Sequence, residues 1–238
     1  MTRLYGEILR LEELLDMQEA VADVHDTLFF ITVHQVHELW FKVLLHELEA
    51  ARGRLFARDV PGAVRCLGRV RAVERVLVEQ VDALETIRAR DFLDIRDSLR
   101  ASSGMQSAQF REIEFISGLR DPAWLEQGEF TPAERERLRR RLAEPTVWDG
   151  FLALLEARGG PDLVALMRAR ADSDLLALAE AMLDHDETFA LWRSRHVLMV
   201  ERMIGAKAGT GGSTGVAYLR STLTRRFFPA LWDLRSEL

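Results

Sequence analysis

The chain has 238 residues, 48% hydrophobic and 29% charged, with a formal net charge of −6. That is enough apolar material for the core of one globular domain, and the acidic balance offers no basic face for nucleic acid. A single cysteine, Cys66, excludes an intramolecular disulfide and any multi-thiolate metal site.

Apolar residues recur at helical spacing almost throughout, with no convincing period-two strand. The first long helix is predicted over about 26–54, with Phe29, Val33, Val36, Trp40, Val43 and Leu44 as its stripe. A second covers roughly 61–86, where Val64, Leu67, Val70, Leu77 and Val81 face inward and Cys66 reads as a small core residue. Residues 88–99 read as a shorter helix. Ser102-Ser103-Gly104 breaks it and opens another that includes 109–115. Thr131-Pro132-Ala133-Glu134 is a helix start, with Thr131 as cap, Pro132 in the first turn and Glu134 completing a capping box. The arginines that follow, Arg135, Arg137, Arg139, Arg140 and Arg141, have Glu134, Glu136 and Glu144 among or beside them, which predicts a solvated face. Pro145 begins a helix through Ala157 that Gly159-Gly160-Pro161 ends. A long helix over about 173–207, a glycine-rich loop from Gly209 to Gly215 and a last helix over about 216–234 complete the chain. With no linker or repeat, residues 1–238 are expected to form a single all-α domain, a helical bundle. The N-terminal Met1-Thr2-Arg3-Leu4-Tyr5 has no apolar secretory core, and no apolar run approaches membrane-spanning length. No membrane partner and a cytoplasmic location are therefore expected.

Two histidines on mainly apolar helices, His34 and His196, mark where chemistry should be sought, because a buried imidazole needs a partner. Phe30, His34, His37 and Phe41 share one face by their spacing. A zinc-protease helix needs His-Glu-x-x-His, and His37-Glu38 and His46-Glu47 both lack the second histidine. A di-iron bundle needs Glu-x-x-His, and none of the six histidines has Glu three residues before it. Haem stays open, since it asks for one axial imidazole in an apolar helical cavity, and His196 is a candidate. Arg111, beside Phe110, Ile113 and Phe115, is either a surface charge or a partly buried fork for a carboxylate. The glycine loop lacks the Lys-Ser/Thr ending of a P-loop and no strand precedes it. It fits better as a flap that brings Thr210 and backbone amides over a ligand.

Four blocks in order resemble the tryptophan 2,3-dioxygenase family. They are Tyr5-Gly6 with Leu9-Arg10-Leu11; 28–48, especially His34-Gln35 and Glu38-Leu39-Trp40-Phe41-Lys42; Leu84-Glu85-Thr86 through Ser103-Gly104, Gln106-Ser107 and Gln109-Phe110-Arg111; and Trp192-Arg193 with Arg195-His196 through Gly215. The resemblance implies haem b with O2 as co-substrate, and opening of the indole ring of L-tryptophan to N-formylkynurenine. It makes His196 the axial ligand of the haem iron and His34 the acceptor of the indole N–H, with Phe30 packed on the indole. Arg111 would hold the substrate carboxylate, Thr210 would meet the amino-acid head group, and Gly209 and Gly211 would lie against the cofactor. Tyr5 would reach the pocket of a neighbouring subunit, implying a homo-oligomer, usually a tetramer. Glu38, Trp40 and Lys42 read as structural.

The chain departs from the family pattern at Ile8 and Met105, where aromatic residues are usual, and in a short region over about 159–189. An altered rim of that kind leaves monooxygenation of a β-substituted tryptophan to an oxindole as the alternative. A non-catalytic haem or indole sensor would need His196 but not His34, Arg111 and Thr210 together.

Overall fold

The computed structural model describes residues 3–19, 21–99, 102–168, 173–210 and 213–238. In chain order the helices are α1 (Tyr5–Leu9), α2 (Leu11–Leu15), α3 (Thr27–Phe56), α4 (Val60–Leu84), α5 (Ala89–Leu99), α6 (Ala108–Ser117), α7 (Trp124–Gln127), α8 (Pro132–Ala143), α9 (Val147–Ala157), α10 (Leu163–Arg168), α11 (Asp174–Ile204), α12 (Val216–Ser221) and α13 (Pro229–Asp233). No strand occurs among the described residues, and the all-α expectation holds.

Three long helices make the frame. The helix α4 packs on both α3 and α11, while α6 and α9 lie against α3. Their apolar stripes meet in one core, where Leu44, Leu48 and Leu55 of α3, Leu67 and Val70 of α4 and Leu178 of α11 have no exposed surface. Each such leucine contributes roughly 1.5–3 kcal/mol by leaving water, which is what fixes the helices against one another. Cys66 lies in this core, as its pattern predicts. By length and composition α3 is also long and apolar enough to cross a membrane, which counting uninterrupted apolar residues does not reveal. Here its stripe packs against the neighbouring helices instead.

The helix boundaries follow local chemistry. The Asp59 carboxylate accepts from the Gly62 N–H at 3.0 Å to start α4. The box at Thr131 forms as predicted: the Glu134 N–H donates to the Thr131 hydroxyl at 3.3 Å and the Glu134 carboxylate takes the Thr131 N–H at 2.9 Å. Gly205, at φ +58, ends α11 three residues before the predicted stop, in a conformation that favours glycine. The predicted final helix is instead two short ones. Between them the N–H groups of Phe227 and Phe228 turn to one oxygen of buried Asp186, at 2.9 and 3.0 Å, and Pro229 starts α13.

A second correction concerns α8. Arg141 is 5% exposed and bonds the carboxylates of Glu49, Glu112 and Glu144. The helix therefore turns Leu138 and Arg141 inward, and its charges are not one solvated face. Alternating charge in the sequence could not distinguish an arginine paired across helices from one in water.

Candidate active site

Between α3, α4, α6 and α11, closed at one end by the glycine segment, lies a cavity of about 320 Å³. Phe30, His34, Arg111, His196, Gly209 and Thr210, taken from four distant parts of the sequence, all line it. Val81, Leu84, Met199 and Met203 supply apolar wall, in the proportion a small-molecule site needs. A wider groove of about 820 Å³ runs from Phe30 and His34 towards Arg137 and Arg140, but it is open and lined largely by polar and charged residues. None of the described wall of either cavity comes from 159–189. Tyr5 stands apart on α1, 74% exposed. Gly211 lies outside the described residues.

His34 reaches the cavity from the second turn of α3. Its Nδ1 lies 2.7 Å from the Phe30 carbonyl. A carbonyl only accepts, so Nδ1 carries the proton and Nε2 is left with a lone pair. The surrounding walls hold its pKa below 6.5, because removal from water penalises the charged ring. Although open to solvent through the cavity, His34 is thus a neutral hydrogen-bond acceptor. The Phe30 ring lies 4.1 Å from it, centroid to centroid, and offers a flat apolar surface beside that acceptor.

His196 lies on α11 with its ring stacked on Trp192, 5.1 Å away and 10° from parallel. Burial pushes its pKa down to about 4, with His34 and His37 adding to the effect. The imidazole is therefore neutral at ordinary pH and keeps the lone pair that metal ligation requires. Among the described residues no three His, Cys, Asp or Glu side chains could together hold a metal ion. A single neutral imidazole facing an apolar cavity does fit a haem, whose iron asks one side chain of the protein.

Arg111 is 5% exposed, which settles its sequence ambiguity in favour of burial. Its guanidinium sits 3.6 Å over the Trp124 ring, and its Nη1 donates to Glu114 at 2.6 Å. Its Nε is buried with no acceptor. Leaving such a donor unmade costs about 1–3 kcal/mol, so the site favours an incoming anion. The register between Arg111 and His34 is set by Gln109, whose amide donates to the Glu38 backbone carbonyl at 2.9 Å and its carboxylate at 2.7 Å. Glu38 is structural, as expected, and what it fixes is the separation of two pocket walls.

The glycine segment is anchored where it begins. The Thr210 hydroxyl donates to the Ser102 carbonyl at 2.8 Å, and Arg96 donates to the Ala208 carbonyl. At Gly215, φ is +66 and a Cβ would come within 2.4 Å of the Lys207 carbonyl oxygen, so a side chain there would open the turn. Thr210 lines the cavity with its hydrogen already committed; its oxygen remains able to accept from an ammonium group.

Trp124, Glu114 and Tyr218 were not marked as site residues by the sequence. Tyr218 lines the cavity with a buried hydroxyl that has no partner. The available signal was position alone, three residues beyond Gly215. A hydrogen-bonded chain of Ser117, His185 and Glu74, at 2.9 and 2.7 Å, has the order of a hydrolytic triad. All three are 0–1% exposed, so no substrate reaches them, and they tie α6, α11 and α4 together.

Comparisons with known proteins converge. The family model described as tryptophan 2,3-dioxygenase matches residues 1–160 and 152–238. A tryptophan 2,3-dioxygenase of Nocardioides sp. is 51% identical, over 98% of this chain and 94% of the relative. Those of Herpetosiphon aurantiacus and Caulobacter vibrioides are 42% and 38% identical, each over 98% of both chains. With matches of that extent and a cavity assembled from three of the same four blocks, the chain belongs to the tryptophan 2,3-dioxygenase family.

Proposed function

We propose that this protein oxygenates L-tryptophan, adding O2 across the C2–C3 bond of the indole so that the bond opens and N-formylkynurenine forms. The observation that carries the reading is one cavity holding a neutral acceptor at His34, a buried arginine with an unused donor at Arg111 and a neutral imidazole at His196. An indole N–H, a carboxylate and a haem iron are the three groups this set complements. His196 would hold the iron of haem b through its neutral imidazole, and the cofactor would supply the O2 chemistry when bound. Gly209 would lie against it, where backbone without a side chain permits close approach.

The residues of the chain orient and enclose. The indole lies against Phe30 with its N–H donated to His34 Nε2, while Arg111 holds the carboxylate and Thr210 accepts from the ammonium. The apolar walls exclude water from the reacting carbon atoms. His34 remains neutral throughout, so it fixes the ring's position and needs no proton exchange. The exposed apolar residues Leu4, just before α1, and Tyr5, Ile8 and Leu9 of α1 are covered by a second copy, with Tyr5 reaching that copy's pocket in a homotetramer.

His34→Ala is expected to lower kcat/KM for L-tryptophan about tenfold, the worth of one neutral hydrogen bond. It should change that for 1-methyl-L-tryptophan, which has no indole N–H, far less. Because the folded pKa of His34 lies below 6.5, the wild-type rate should decline on acidification with a midpoint below pH 6.5. A decline centred above 6.5, or equal losses for both substrates, removes the acceptor role.

The deciding experiment is mass spectrometry of the product from haem-loaded, reduced protein with L-tryptophan under 18O2. Two labelled atoms in N-formylkynurenine establish the reading. One labelled atom moves the protein to monooxygenation, and haem binding without product from tryptophan or its β-substituted forms leaves a sensor.

A further inference from the structure

A guanidinium can receive a carboxylate end-on, through Nη1 and Nη2, or side-on, through Nε and Nη2. At Arg111 the surroundings leave only one of these open. Nη1 already donates to Glu114 Oε2 at 2.6 Å, and the Trp124 ring covers one face at 3.6 Å. Nε, on the other edge, is buried and has no partner.

Glu114 is itself held from behind. Its Oε1 accepts from Arg193 Nη2 at 2.8 Å, and Arg193 Nη1 donates to the Arg225 carbonyl at 3.1 Å. Arg111, Glu114 and Arg193 are 5%, 3% and 4% exposed, so the chain of contacts is dry and its geometry is not averaged by water. One carboxylate between two guanidinium groups leaves these three residues with a formal charge of +1. Asp186, which also acts on Arg193 through space, is bonded to the N–H groups of Phe227 and Phe228 and to the Trp232 indole. Among the described residues, Glu114 is the one carboxylate bonded to Arg111.

We infer that Glu114 and Arg193 are positioning residues that lock Arg111, so that the substrate carboxylate is received side-on by Nε and Nη2. The inference rests on the reading that Arg111 takes the carboxylate of an indole amino acid. It makes preference for substrates with a free carboxylate depend on two residues that act on the carboxylate through Arg111. Arg193 lies three residues before His196, so the lock also joins the carboxylate end of the cavity to the helix that carries the axial histidine.

The test compares L-tryptophan with tryptamine, which lacks the carboxylate, in haem-loaded wild type, Arg111→Ala, Glu114→Gln and Arg193→Lys. Binding is read by competition, together with KM and kcat for L-tryptophan. Glu114→Gln should weaken L-tryptophan at least tenfold, chiefly in KM, with tryptamine changed less than twofold. Arg193→Lys should shift the same preference in the same direction by a smaller factor, since lysine keeps the charge without the fork. If Arg111→Ala weakens both ligands equally, the carboxylate reading itself fails. If Arg111→Ala discriminates and Glu114→Gln does not, that reading stands and the lock is overturned. Removing one partner of a buried pair is costly, and Glu114→Gln may be tested only where its helical circular dichroism is retained. If it does not fold, Arg193→Lys decides: a selective loss for L-tryptophan supports the lock and an equal loss overturns it.

Discussion

His196→Ala is expected to fold and to retain no haem on reconstitution, whereas the wild type should bind it and show a Soret band. The expectation follows from the proposal that His196 ligates the haem iron; among the described residues no group of three ligating side chains offers a substitute centre. A Soret band unchanged from wild type would end the axial assignment. The cofactor-free proteins provide an independent reading. With a folded pKa of about 4 against about 6.5 unfolded, His196 takes its proton first in the unfolded chain. Stability from this residue is therefore full above pH 6.5 and falls as pH drops towards 4, by up to roughly 3 kcal/mol. His196→Ala should lose that part of the slope, measured by urea unfolding at pH 7 and pH 5.

Arg111→Ala should weaken L-tryptophan by about 100-fold or more, because truncating one partner of a buried charge pair costs about 2–5 kcal/mol. The cost has two sources. The substrate loses its bidentate partner, and Glu114 is left with Arg193 alone. Tryptamine should lose less than about threefold. Arg111→Lys should recover little, since a point charge offers neither the planar edge nor the flat stack on Trp124. Titration of the two ligands into the three proteins measures this directly, and equal losses would place carboxylate recognition elsewhere.

The predicted helices over 26–54 and 61–86 correspond to α3 and α4 because their order is written in a local period. One stripe recurring every three to four residues has one way to leave water. The capping box at Thr131 was legible for the same reason, as all its partners lie within four residues. The break before Pro229 was not, because the acceptor that bends the chain there is Asp186, more than forty residues away. Arg141 shows the same limit, its partners Glu49 and Glu112 lying on other helices.

The site divides along this line. His34, Arg111, His196 and the glycine segment could be picked from the sequence, through apolar helix context and resemblance to a family. That His34 is a neutral acceptor is partly local too, since its proton is fixed by a carbonyl one turn back on the same helix. What the tertiary structure alone decided is the state of Arg111. Its exposure, its stack on Trp124 and its bond to a carboxylate shared with Arg193 of α11 arise only when α6, α7 and α11 meet. The pair with Glu114 is local, three residues on along α6, but the Trp124 ring over one face and the hold of Arg193 on Glu114 come from other helices, and no periodicity within α6 encodes them.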